Sequence, residues 1–235
     1  MPFLLTFLAS ISTLFGTILI FIPKNKKIII SSLGFAAGVM ITISFIDLIP
    51  ESFKLIHSYF NNGTFLMVLL FINIGIILSM MINKRLENDN YLYKVGIVSM
   101  IALILHNIPE GIITFLSTTS NLKLGISMAL AISAHNIPEG ITIALPIYYA
   151  TNRKGKAIAY TFISGVSEFI GAILSFLFLK PFINNLILGI IFSVTAGIMF
   201  YIATYELLPL SLKYQNKRVT ILSFIIGIIF IYIFK

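Results

Sequence analysis

Between short polar breaks this chain runs apolar for about twenty residues at a time, and it does so eight times, at 3–23, 29–52, 64–83, 95–117, 124–149, 157–179, 185–210 and 219–234. A helix needs about 20 apolar residues to cross the hydrocarbon core of a bilayer. Inside that core the backbone must satisfy its own hydrogen bonds, which only helices and closed barrels do. Barrel strands alternate apolar and polar residues, and these continuous runs do not. The expected fold is therefore all-α and integral to the membrane. A single polytopic domain over residues 1–235 is expected, its eight helices antiparallel in succession because the connections are short. The first run lacks a basic leader and a small-residue cleavage site, so it is expected to stay as a span.

A soluble domain carries about a quarter charged residues, against 10% here. The formal net charge of +8 would draw nucleic acid only if it were gathered on one face. It is instead spread over the breaks between runs. Lys24, Lys26 and Lys27 fall in the first break; Lys84, Arg85 and Lys94 in the third; Arg153, Lys154 and Lys156 in the fifth; Lys213, Lys217 and Arg218 in the seventh. The opposite side holds only Lys54, Lys123, Lys180 and Lys235. Basic residues accumulate on the cytoplasmic side of a membrane. The expectation is a multi-pass protein of the bacterial cytoplasmic membrane, both termini extracytoplasmic, with a lipid bilayer and no nucleic acid as partner. There is no cysteine, so any metal site must be built from nitrogen and oxygen.

Acids are few and oddly placed. Of eight, Glu87 and Asp89 lie in the third break, while Asp47, Glu51, Glu110, Glu139, Glu168 and Glu206 lie inside runs or at their ends. A central acid costs about 2.5–3.5 kcal/mol to insert, so Glu110, Glu139 and Glu168 together would cost about 7–10 kcal/mol if ionised and unpaired. No Lys or Arg stands well inside a run to neutralise them. A bound cation answers that cost better than three neutral glutamates do.

The hexapeptide HNIPEG occurs twice, at 106–111 and 135–140. His106 and Glu110, like His135 and Glu139, stand four apart and so share one helix face. Asn107 and Asn136 offer amide oxygens beside them. Pro109 and Pro138 cannot donate the helical hydrogen bond, which frees the carbonyls of Leu105 and Ala134. In lipid such a defect is tolerated only where protein, water or an ion satisfies it. Gly111 and Gly140 permit close helix approach. Both histidines lie about 11 residues into their runs, hence ~16 Å deep and near the midplane of a ~30 Å core. On antiparallel helices this makes a local inverted repeat around one site, to which Ser164 and Glu168, again four apart, add a third wall. FIDLIPES and TYELLPLS echo each other at the ends of the second and seventh runs. The prolines read as helix terminators. Asp47 and Glu51 near the external face and Glu206 near the cytoplasmic face read as access and exit points for a cation. Inverted repeats about a midplane site are an architecture of transporters.

HNIPEG at 106–111 and 135–140, SGVSE at 164–168, LGFAAGVM at 33–40, DLIP at 47–50 and ELLP at 206–209 together resemble the ZIP metal-ion transporters, in particular their bacterial ZupT-like branch. The resemblance implies a 3+2+3 arrangement, with inverted three-helix repeats around the fourth and fifth helices, and import of divalent metal. It implies that His106, Asn107, Glu110, His135, Asn136, Glu139 and Glu168 are metal ligands for two adjacent ions, bridged by Glu110 and Glu139. Asp47 and Glu206 match acids of the transport path, and Glu51 matches least closely. The third break, NKRLENDNYLYK, has no histidine, unlike the His-rich loop of many relatives.

Imidazole, carboxylate and amide ligands without sulfur suit Zn²⁺, Fe²⁺, Mn²⁺ and Co²⁺, whereas an all-oxygen cage suits Mg²⁺ or Ca²⁺. Zn²⁺ is the first expected substrate, with Fe, Mn, Co and Cd accepted beside it. These ions are cargo and not cofactors. Because binding requires neutral His and ionised Glu, uptake is expected to weaken at low pH. The alternative reading is an intramembrane metal-dependent hydrolase. That needs a metal-bound water with a general base, and no H-E-x-x-H stands here, so no enzymatic activity is expected. A homodimer is compatible with the sequence.

Overall fold

The computed structural model describes residues 1–86, 90–179 and 184–234. Glu87, Asp89, Lys180 and Lys235 lie outside the described residues. Every regular element among the described residues is helical, and eight rods account for them. They are α1 (Pro2–Phe21), α2 (26–60), α3 (Thr64–Arg85), α4 (Tyr91–Ser120), α5 (Leu122–Thr151), α6 (Lys154–Phe178), α7 (Asn185–Lys213) and α8 (Lys217–Phe234). The punctuation is asparagine. Asn25, Asn90, Asn121, Asn184 and Asn216 each turn a side-chain oxygen onto a backbone N–H of the following helix, supplying one of the donors' missing acceptors at a helix start. Asn152, at φ 56°, closes α5 in the left-handed conformation.

By length and composition, five stretches are apolar enough to cross a membrane: Pro2–Phe21, Lys26–Arg85, Tyr91–Ser120, Lys154–Phe178 and Asn185–Lys213. The second of them contains both α2 and α3. Large apolar side chains face outward on the rods, among them Leu66 and Leu70 on α3, Phe178 on α6, and Leu222 and Ile233 on α8. A hydrocarbon environment accounts for such surfaces, and water does not.

The prolines of the second and seventh rods do not terminate them, contrary to the sequence expectation. Each rod widens instead into a π-turn, Ser44–Leu48 in α2 and Ile202–Leu207 in α7. The N–H of Ile49 then reaches Ser44 O, and that of Leu208 reaches Ala203 O. The wide turn lets the chain step past the N–H that Pro50 and Pro209 lack. Both rods continue, and Asp47 and Glu206 ride on the two π-turns. In α1 the winding tightens, with a 3₁₀ stretch from Thr13 to Phe21.

The rods sort into two packed groups. In one, α4 and α5 pack together, with α6 against α4 and α1 against α5; in the other, α2 packs on α8 and α3 on α7. Glycines set both groups, since a Cβ there would run into a neighbouring backbone. Gly111 abuts the Glu168 carbonyl and Gly140 that of Thr13; Gly171 abuts Ile108 and Gly16 abuts Ile137. Gly38 abuts Phe224 and Gly197 abuts Ile72; Gly75 abuts Val194 and Gly227 abuts Phe35. Each contact has its mate under one exchange of helices: α1 with α6, α2 with α7, α3 with α8, and α4 with α5. This is the 3+2+3 inverted repeat, written residue by residue in the backbone.

Candidate metal centre

α4 and α5 run unbroken through Pro109 and Pro138. His106 is the sixteenth of thirty residues in α4 and His135 the fourteenth of thirty in α5, so the two motifs meet halfway along opposed helices. His106 Nε2 lies 3.2 Å from Glu110 Oε1 and 3.1 Å from Glu139 Oε1, and His135 Nε2 lies 2.9 Å from Glu110 Oε1. Ligand atoms of His106, Glu110 and His135 all fall within 4.8 Å of one another. Among the described residues, the two histidines are the only ion-pair partners of Glu110 and Glu139.

The asparagines tie helices together, which the motif alone does not disclose. Asn136 Nδ2 donates to Ala9 O at 3.0 Å and to Glu168 Oε2 at 2.8 Å, tying α5 to both α1 and α6. Asn107 Nδ2 donates to Ser164 O at 3.1 Å, tying α4 to α6. With the amide nitrogens so engaged, both amide oxygens turn away. Asn107 Oδ1, Asn136 Oδ1, Glu110 Oε2, Glu139 Oε2, Glu168 Oε1 and Ser164 Oγ are all buried without a hydrogen-bond partner. Buried polar atoms are nearly always satisfied in folded proteins. A cluster of unsatisfied oxygens with two imidazoles is a donor set shaped for a cation.

The remaining predicted residues divide between the two ends. A cavity of about 1320 Å³ reaches Glu110 and His135, and Asp47, Glu51, Lys54 and Ser12 also line it. Glu51 holds Lys54 at 2.9 Å near its mouth. Glu139 does not line this cavity and is fully buried. Glu206 is buried at the opposite end of the molecule and stands apart from the cluster; on α3, Asn83 gives its amide to Tyr201, five residues before Glu206 on α7. That end carries the basic breaks. There Lys24 sits over Tyr148, Lys154 over Phe21, Lys156 over Tyr93 and Lys213 over Tyr91, each 4.5–4.9 Å from the ring centre. Sequence reasoning missed Ala9, which takes part through its backbone carbonyl, and Asn83, which stands in no motif.

The family described as ZIP zinc transporter matches residues 83–235, which hold both motifs and Glu168. The chain belongs to the ZIP family. It is 38% identical to the zinc transporter ZupT of Streptococcus mutans over 97% of this chain and 93% of that protein. It is 40% identical to the ZupT of Oceanobacillus iheyensis, covering 97% and 94%, and 37% identical to that of Clostridium perfringens, covering 97% and 93%. Members of the ZIP family are transporters and not enzymes, which removes the hydrolase reading. The work of this ZIP chain is the transport of divalent metal ions.

Proposed function

We propose that this chain imports Zn²⁺ across the bacterial cytoplasmic membrane, and carries Fe²⁺, Mn²⁺, Co²⁺ and Cd²⁺ less selectively. The observation that supports it is the cluster itself: three carboxylates, two imidazoles and two free amide oxygens, buried halfway along opposed helices and reached by an acid-lined cavity. Nitrogen and oxygen donors without sulfur fit borderline dications. Zinc leads because the relatives are named zinc transporters. In this reading one ion sits among His106, Glu110 and His135. A second is held by Asn107, Asn136, Glu139 and Glu168, with Glu110 and Glu139 facing both. Asp47 and Glu51 collect ions at the cavity mouth, and Glu206 receives them on the side of the basic breaks, which the charge tally makes cytoplasmic. The eight rods all cross the bilayer in this arrangement.

Purified protein in proteoliposomes tests the reading. Radioactive Zn²⁺ is expected to accumulate with time in the lumen, and Glu110→Ala is expected to abolish accumulation while leaving the protein folded by size exclusion. Zinc that binds without accumulating, or uptake that survives Glu110→Ala, would sink it. Competition by Fe²⁺, Mn²⁺, Co²⁺ and Cd²⁺ in the same vesicles ranks the other ions.

A further inference from the structure

The inverted repeat pairs the walls of the centre with mates, and the mate of the Glu168 carboxylate carries no charge. Asn107 Nδ2 on Ser164 O is matched by Asn136 Nδ2 on Ala9 O, at 3.1 and 3.0 Å. Ser167 Oγ bonds Ser164 O and Ser12 Oγ bonds Ala9 O. Gly111 meets the carbonyl of Glu168, and Gly140 meets that of Thr13. Gly171 and Gly16 meet Ile108 and Ile137. The sequences agree in the same register: ASISTLFG at 9–16 lies on SGVSEFIG at 164–171. All four contact pairs place Thr13 where the exchange of α1 with α6 puts Glu168.

We propose that residue 13 is the missing fourth corner of the metal centre, and that threonine there sets how tightly the centre holds its ions. The inference rests on the reading of Glu168 as a ligand. Glu168 reaches Asn136 with Oε2, at 2.8 Å. The mate of that bond would join residue 13 to Asn107. Threonine is too short to make it, and its hydroxyl is turned back onto Ser10 O at 3.0 Å. Thr13 is nonetheless fully buried beside the site's walls, where no solvent would screen a charge.

The charge count explains why a blank is useful. The buried carboxylates at the centre are Glu110, Glu139 and Glu168. One dication leaves them a single negative charge in excess, and two leave a single positive charge. Either way the occupied centre is slightly out of balance. A fourth carboxylate would neutralise two dications. Two dications facing four carboxylates are held harder than two facing three, because Coulomb attraction is poorly screened in a buried site. Transport requires binding weak enough to let go. Residue 13 is thus a residence position, one helix away from any motif residue.

The experiment moves the carboxylate across the axis. Zinc affinity is measured on detergent-purified protein by equilibrium dialysis with radioactive Zn²⁺ for Glu168→Thr, for the double variant Thr13→Glu with Glu168→Thr, and for Thr13→Glu alone. Thr13→Gln serves as the uncharged control of the same shape. Glu168→Thr is expected to lose about 10–100-fold in affinity, and adding Thr13→Glu to recover at least about tenfold of it. Thr13→Glu alone is expected to bind zinc more tightly than the natural chain and to pass it more slowly in proteoliposomes. If Glu168→Thr keeps full affinity, the ligand reading of Glu168 fails, and this inference falls with it. If Glu168→Thr loses affinity and Thr13→Glu does not restore it, the inference alone fails. Failure of Thr13→Gln to fold would show that the position has no room for a ligand. Failure of Thr13→Glu to fold in excess zinc, where Thr13→Gln folds, would show that no ion reaches it. Either result overturns the proposal.

Discussion

Gly111→Ala tests the closest backbone contact at the centre. An alanine Cβ at 111 would fall well inside van der Waals contact with the Glu168 carbonyl oxygen, and next to the Ala172 amide. Both are backbone atoms and cannot swing aside, so α4 and α6 must separate. Helix propensity pulls the other way, since alanine is better than glycine in a helix interior by about 1 kcal/mol. Overpacking a tight contact costs about 1–3 kcal/mol. With the obstacle made of backbone the upper end applies, leaving a net loss of about 1–2 kcal/mol. For a chain of this size that lowers the thermal midpoint by roughly 2–8 °C. The displaced backbone belongs to Glu168 itself, so zinc affinity is expected to fall as well, by about tenfold. Thermal unfolding of the detergent-purified protein, with and without zinc, reads both effects. Gly155→Ala, where the added Cβ meets nothing within 4 Å, is the control and is expected to be neutral or slightly stabilising. A Gly111→Ala protein as stable as the natural one, with unchanged zinc affinity, would refute this contact, because the Glu168 carbonyl could not then stand against residue 111.

Asn136→Ala removes the donor shared by the Ala9 carbonyl and the Glu168 carboxylate; the carbonyl keeps Ser12 Oγ, but the carboxylate is left buried and unpaired, at about 1–3 kcal/mol for such a group. Asn107→Ala takes one donor from the Ser164 carbonyl, which keeps Ser167 Oγ, and is expected to be milder; equal losses of thermal stability and zinc affinity in the two variants would contradict the network described. The absence of natural cysteine makes topology directly readable. In intact cells Lys154→Cys is expected to be shielded from an impermeant thiol reagent and Lys123→Cys to react, and the reverse pattern would invert the proposed import direction.

What was legible in the sequence, and what was not, follows from where each feature is encoded. The apolar runs disclose helices because lipid leaves the backbone no other choice, and the paired His–Glu spacing discloses the centre because two charged types on one face have no cheaper explanation in hydrocarbon. Chain breaks were harder. Pro50 and Pro209 look like stops, since a missing N–H ends most helices, but a π-turn absorbs the defect by changing the winding, and no local residue pattern announces that a neighbouring helix will support it. The inverted repeat was visible at FIDLIPES and TYELLPLS and in the two hexapeptides, where polar residues mark the register. It was invisible in α1 against α6, where the shared register is carried by small residues, Ser12 with Ser167 and Gly16 with Gly171, in an otherwise apolar background. Small residues are chosen there for what they leave out, which is the side chain that would hold two backbones apart. Only the contacts disclose that choice. Thr13 is the extreme case: nothing in its own identity separates it from any other buried threonine in a membrane helix, and its meaning comes entirely from Glu168 standing at the same place in the other half of the fold.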